Sequence, residues 1–373
     1  MEFSLSPKQE GFRENVRRFA ETTLAPIAAD RDRKSQCPSN LLDGLAELGL
    51  LGGEGDFISY VAGLAEISRV WASLGAIISV HNSLVCYPIA RFGTEPQKTK
   101  YLSLLTKERQ LGCYAFAEPG AGSDAGSIRT TAVANGEAYV LNGQKVFVTN
   151  GRQARVAIVY ALTDPAKGRD GLSAFIVETN TPGLSVGKTA ETLGLRAAEI
   201  VDMSFRDCRV PKANLLGGLH QGFAVARHIV ESGRIDIAAQ AVGIAEACLD
   251  ASVTHAKARQ QFGRPIAEFE AIQWMLADMG TEIDAAKLLM YRAASLRAKR
   301  PDDRTLTLAA AQAKLFASEA ANRAAYHAIQ VFGGHGYLAE YPVERYYRDA
   351  RAMTLYEETS EIERLVIERE LAR

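Results

Sequence analysis

Ala138-Tyr139-Val140-Leu141-Asn142-Gly143-Gln144-Lys145-Val146-Phe147-Val148-Thr149-Asn150-Gly151 is the stretch that decides the fold. It holds two short runs, 138–141 and 145–149, in which apolar residues recur with the period of a strand, and each run stops at Asn-Gly. Glycine enters the left-handed conformation of a tight turn at no steric cost, so each Asn-Gly predicts a turn. Asn135-Gly136 lies before this stretch and Pro182-Gly183 after it. With the β-rich runs 156–162, 172–178 and 201–205, they predict an all-β segment over about 111–216.

On both sides the period becomes helical. Ser6-Pro7-Lys8-Gln9 supplies an N-cap, a proline at the first helical position and a glutamine at the third. Leu41, Leu45, Leu48 and Leu51 mark one face of a short helix, and further helices are predicted over 58–71 and 74–92, with Pro26, Pro38 and Pro88 as punctuation. After Gly222, the stripe Ile237, Ala241, Ile244, Cys248 and Ala251 predicts a closely packed bundle. Helices over 268–297, 305–332 and 361–372 complete it. The expected class is α+β: a helical domain (1–110), a β-barrel or sandwich (111–217) and a helical bundle (218–373).

The composition of the 373 residues, 47% hydrophobic and 23% charged, excludes disorder. Lys and Arg number 43 against 44 Asp and Glu, so no charge excess draws the chain to nucleic acid or an anionic membrane. Five cysteines without a CxxC pair suit a reducing, intracellular compartment, and the histidines lack zinc-ligand spacing. The first 18 residues, with Glu2, Glu10 and Glu14, fit neither a signal nor a transit peptide. No apolar run approaches the roughly 20 residues of a membrane span. A small molecule or another protein is the expected partner.

Three clusters carry chemistry. Tyr114-Ala115-Phe116-Ala117-Glu118-Pro119-Gly120-Ala121-Gly122-Ser123-Asp124 leads an aromatic run into a glycine-rich turn whose N–H groups and Ser123 hydroxyl suit an anion or a polar heterocycle edge. The 145–149 run places Phe147 and Thr149 on one strand face. Gln330-Val331-Phe332-Gly333-Gly334-His335-Gly336-Tyr337 ends a helix in a glycine loop. Beyond it, Tyr356-Glu357-Glu358-Thr359-Ser360-Glu361 precedes the last helix, where Thr359 or Ser360 caps an N-terminus suited to phosphate. Taken singly, each reads as an ordinary turn, strand or helix cap.

Together, these segments and the run 258–273 resemble the acyl-CoA dehydrogenase family over essentially the whole chain. The resemblance implies a C-terminal four-helix bundle and FAD-dependent α,β-desaturation of an acyl thioester, with electrons passed to an electron-transfer flavoprotein. It implies that Tyr114, Phe116, Ala117, Gly122, Ser123, Phe147, Val148, Thr149, Thr359 and Glu361 bind the flavin. Gln261 and Phe269 would bind FAD as well, and Arg259, Phe262 and the Gln330–Gly334 loop, with Gln330, Val331, Gly333 and Gly334, would reach the FAD of a neighbouring subunit, in a homotetramer built as a dimer of dimers. The thioester side would be lined by Ser123, Glu231, Arg234, Tyr356, Glu358 and Arg369.

Glu357 is implied as the base that removes the α-proton, because an α-hydrogen beside a thioester is a weak acid. A minority branch places its base at the position of Gly233, which carries no side chain. Arg234 would stand in the active-site wall, although an Arg in this run also reads as a surface partner of Glu231 or Asp236.

Some positions depart from the family pattern. Glu358 stands where glycine is usual, which is expected to crowd the thioester and to repel the base. Ala117 replaces Thr or Ser, Phe147 replaces Trp, Ala198-Glu199 replaces Ser-Asp, and the 52–56 loop is short. The absence of Lys and Arg between Trp71 and Ala90 points to an uncharged short or branched acyl chain. Two other readings are a carrier-protein thioester as substrate and an inactive relative serving in assembly. The cytoplasm is the expected location, or the mitochondrial matrix for a processed chain.

Overall fold

The computed structural model describes residues 4–52 and 55–372. Gly53 and Glu54, in the short 52–56 loop, lie outside the described residues, as do Met1, Glu2, Phe3 and Arg373. The first helices are α1 Pro7–Phe19, α2 Ala25–Lys34, α3 Leu41–Glu47, α4 Phe57–Val70, α5 Ala72–Ser79, α6 Tyr87–Phe92 and α7 Glu95–Gln97. The capping box forms as expected: Ser6 Oγ accepts the Gln9 N–H, and Gln9 Oε1 accepts the Ser6 N–H. Pro26 and Pro88 do not break the chain's helices. A π-helical turn precedes each, Ala20–Leu24 and Val80–Cys86, and absorbs the missing N–H.

The strands are β1 Gly112–Ala115, β2 Thr131–Asn135, β3 Ala138–Val148, β4 Val156–Leu162, β5 Leu172–Glu178, β6 Leu184–Thr189, β7 Val201–Pro211 and β8 Leu215–Leu216. They form one sheet in the order β6-β7-β3-β2-β4-β5-β8, with β1 added in parallel to β4. Asn142-Gly143 is not a turn between two strands but a bulge inside β3, where pairing with β7 slips by a residue. Gly143 has φ +153°, and a Cβ there would lie 2.7 Å from Thr130 Cα. The β4 run reads as continuously apolar because both its faces are covered. Ala157, Val159 and Ala161 join the sheet's own core, whereas Val156, Ile158 and Tyr160 pack with Val85, Ile89 and Tyr101 from the helices.

After the sheet come α8 Gly222–Ala258, a ribbon of β9 Gln260–Gln261 and β10 Arg264–Pro265, then α9 Glu270–Lys299, α10 Arg304–Phe332, α11 Val343–Ala352 and α12 Ser360–Leu371. One hydrophobic core unites the two helical regions, with Val16, Leu64 and Ile67 in the same cluster as Ile237, Met290 and Ala313. The sheet is thus held against a single helical body. The segments Ala72–Phe92 and Gly222–Ala258 have the length and hydropathy to cross a bilayer, contrary to the sequence reading, but their apolar windows are 94% and 67% buried inside the protein.

Candidate active site

Where the sheet meets the helices lies a cavity of about 1510 Å³. The end of β3 forms one wall. Phe147 has φ +57° and is 74% exposed, because a second pairing slip between Lys145 and Val148 turns it out of the sheet. Phe147 and Thr149 both line the cavity. Asn150 pins this strand end, its Nδ2 donating to the Ile77 and Gly112 carbonyls at 3.1 Å.

The glycine-rich turn forms the next wall, where Tyr114, Phe116, Ala117, Gly122 and Ser123 line the cavity. Glu118 does not face a ligand. It accepts the Arg129 and Thr130 N–H groups at 2.7 and 3.0 Å and pairs at 2.8 Å with Lys145 Nζ, which also donates to the Phe116 carbonyl. Burial depresses the Lys145 ammonium to about 8, against the pull of Glu118. Burial pushes Glu118 up, but Lys145 and these donors hold its carboxyl below the usual range. This clamp ties the turn to β3.

The opposite wall is the segment before α12. Glu357 has φ +61°, a conformation that costs of order 1–3 kcal/mol for a non-glycine residue and marks functional sites. Both its carboxyl oxygens are buried without a hydrogen-bond partner among the described residues. Burial first, then the charges of Asp236 and Glu358, push this carboxyl up to about 8, while Lys314 and Arg234 pull the other way. The carboxylate lies over Gly233 of α8, where a Cβ would be 2.6 Å from Glu357 Cδ. Tyr356 donates its hydroxyl to Gln240 Oε1 at 2.8 Å.

Glu358 does not crowd this carboxylate. It turns onto Arg234, accepting from Nε at 2.7 Å and pairing closely with Nη2. Arg234 is buried and reaches Glu363 Oε2 at 3.1 Å, so it is not a surface partner of Glu231 or Asp236. Burial raises the Glu363 carboxyl while Arg234 draws it back. Lys314, also buried, donates to the Glu358 carbonyl. Glu231 accepts the Thr307 hydroxyl instead. Thr359 caps α12, accepting the Ile362 N–H, and lines the cavity with Glu231, Arg234, Tyr356, Glu358 and Arg369.

Other expected residues lie elsewhere. Val148 is buried in the sheet core and Val331 on α10, and neither lines the cavity. Glu361 is exposed on the first turn of α12 and is not among the cavity's lining residues. Arg259, Gln261, Phe262, Phe269, Gln330, Gly333 and Gly334 lie outside the cavity, at the C-terminal ends of α8 and α10 and in the ribbon and loops that follow. There His255 stacks on Phe332 at 4.0 Å, and Phe262 is 93% exposed. Sequence reasoning missed Lys145, Asp236, Lys314 and Glu363. Their one signal was a charged residue within an otherwise apolar helix or strand period.

An exposed aromatic ring, a neighbouring hydroxyl and a glycine turn on one wall fit a planar flavin, and the orphaned carboxyl on the other fits a proton acceptor. Family models match three consecutive parts of the chain: the acyl-CoA dehydrogenase N-terminal domain at residues 6–109, middle domain at 113–208 and C-terminal domain at 220–372. The mitochondrial short-chain specific acyl-CoA dehydrogenase of Mus musculus is 46% identical, over 97% of this chain and 89% of its own. Butyryl-CoA dehydrogenase from Megasphaera elsdenii superposes with a TM-score of 0.96 at 39% identity, covering 100% of both chains. A chain from the structure described as the electron transferring flavoprotein of Acidaminococcus fermentans gives a TM-score of 0.97 at 41% identity, also covering 100% of both. The chain belongs to the acyl-CoA dehydrogenase family, FAD-dependent oxidoreductases acting on CH–CH donors.

Proposed function

We propose that this protein desaturates a short, uncharged acyl-CoA between Cα and Cβ, with Glu357 as the base, and passes the electrons to an electron-transfer flavoprotein. The observation that carries this reading is the Glu357 carboxyl, buried and unpartnered in a cavity whose facing wall presents Phe147 and Thr149. FAD, when bound between these walls, supplies the two-electron acceptor for the hydrogen that leaves Cβ. Glu357 takes the α-proton onto a carboxyl oxygen, and its backbone N–H donates to the thioester carbonyl as negative charge grows there. Phe147, Thr149 and the Tyr114–Ser123 turn orient the flavin, and Thr359 with the first turn of α12 offers N–H groups to phosphate.

Chain length is set where the acyl tail meets the helix Ala72–Phe92. Ala76, Val80 and Leu84 line the cavity there, which suits an alkyl end and offers a carboxylate no partner. Arg91, further along, is paired with Asp302 at 3.2 Å. The likeness to the Acidaminococcus chain supports the electron acceptor. The residues at the ends of α8 and α10, turned away from their own cavity, support completion of the FAD site across a homotetramer. We place the protein in the cytoplasm, or in the mitochondrial matrix for a processed chain, with no nucleic-acid or membrane partner.

A thioester panel read by flavin absorption tests the proposal. Butyryl-CoA and its neighbours are expected to bleach the visible band of the FAD-loaded protein, and glutaryl-CoA is not. Failure of every CoA thioester overturns the reading, and selective bleaching by carrier-protein thioesters moves the substrate class.

A further inference from the structure

On α8, Gly233, Asp236 and Gln240 are spaced by three and four residues, so they share one helical face. Gly233 underlies the Glu357 carboxylate and Gln240 accepts the Tyr356 hydroxyl, so the residue between them lies behind the base. That residue is a carboxylate. Asp236 is fully buried; its Oδ2 accepts the Tyr60 hydroxyl of α4 at 3.0 Å and the Ser83 hydroxyl of the π-helical turn at 2.7 Å. Its Oδ1 is buried as well, and the Ser79 hydroxyl also faces this carboxyl. A buried carboxyl held by hydroxyls costs more than an apolar residue of similar size in the same place, so packing alone does not account for it.

We propose that Asp236 is a positioning residue for the reaction: held by Tyr60 and Ser83 behind Glu357, it sets through space the pH at which the base becomes ionised and competent to accept the α-proton. This rests on Glu357 being the base. The groups that face Glu357 are Asp236 and Arg234 on α8, Lys314 on α10, Glu358 beside it, and the phenols of Tyr114 and Tyr356. Asp236 itself faces Tyr60, Ser79, Ser83 and the Arg297 cation of α9. Among the charges on Glu357, Asp236 contributes most, and burial pushes Asp236 up to about 7 against its hydroxyl donors. The two carboxyls ionise in opposition, because charge on one disfavours charge on the other.

The test uses Asp236→Asn in the FAD-loaded protein, with two readouts. The acid limb of kcat/KM is expected to fall by about one pH unit, so that at pH 6 the variant turns over several-fold faster than the parent. Independently of turnover, thermal stability is expected to decline less than the parent's as pH rises from 5 to 8, because one buried carboxyl no longer ionises. An unmoved acid limb overturns the proposal, whether or not the stability profile changes. If Asp236→Asn does not fold, Tyr60→Phe decides. Losing a donor keeps Asp236 neutral to higher pH, so the limb again moves down, and an unmoved limb again overturns the proposal. A different failure marks the functional reading itself: Glu357→Gln retaining turnover while Asp236→Asn still changes the stability profile.

Discussion

The Glu357 carboxylate occupies the space that Gly233 leaves empty. A Cβ at Gly233 would lie 2.6 Å from Glu357 Cδ and 2.9 Å from Oε1, so a side chain at 233 and the observed position of Glu357 exclude each other. Gly233→Ala favours the helix by about 1 kcal/mol in propensity yet displaces the base. A displacement of about 1 Å costs on the order of a hundredfold in rate. The expected outcome is that loss in kcat with an unchanged flavin spectrum, measured by steady-state turnover and absorbance.

Replacing Glu357 by Gln removes the proton acceptor while keeping the shape. Turnover is expected to fall by roughly 10²–10⁴. FAD remains bound, since Phe147, Thr149 and the 114–123 turn lie on the opposite wall. Wild-type activity in this variant, measured with the best thioester of the panel, would move the base elsewhere.

The pH dependence follows from the same burial. A base must be ionised to accept a proton, and Glu357 is pushed up to about 8. The kcat/KM profile is therefore expected to fall tenfold per unit below an acid limb near that value. Stability runs the opposite way. The unfolded chain ionises a glutamate near 4.3, so the stabilisation from the neutral folded carboxyl is complete below that and is lost as pH rises through the folded value. Rates and melting temperatures over pH 5 to 9 check both signs.

Much of this was legible in the sequence because period and punctuation are local. The runs 156–162 and 172–178 are strands over those same residues, and the Ser6 capping box forms as its spacing predicts. What failed depended on distant partners. Gly143 became a bulge because β7, some 60 residues on, pairs across it. β1 is four residues long and gains strand identity only from parallel pairing with β4. Glu357 was legible through its motif, but Lys145, Asp236 and Lys314 were not. A charged residue reads as solvated until its partners are known, and those of Asp236 lie 153 and 176 residues away.

The Lys145–Glu118 pair is expected to matter for cofactor retention as well as for stability. Lys145→Met leaves a buried carboxylate without its cation, and breaking a buried pair in this way costs about 3–5 kcal/mol. The loss also frees the Phe116 carbonyl from Lys145, so the wall that carries Tyr114 to Ser123 loosens. A lower melting temperature with weakened FAD affinity is expected, measured by thermal scan and flavin titration. Unchanged FAD affinity would confine the clamp to a structural role.

Arg234 offers a test of opposite sign at the same base. Its guanidinium lies between Glu358 and Glu363, and its charge lowers the Glu357 carboxyl, whereas Asp236 raises it. Arg234→Met therefore moves the acid limb of kcat/KM upward, above the parent's value near 8. It also strands Glu363, which has no exposure to water, at a cost of about 3–5 kcal/mol. Lys314 remains as the nearby cation, so partial compensation is built in, and Arg234→Lys is expected to return the limb toward the parent while recovering only part of the stability. If Arg234→Met lowers stability but leaves the limb in place, the guanidinium serves to hold Glu358 and Glu363 and its charge does not set the titration of Glu357.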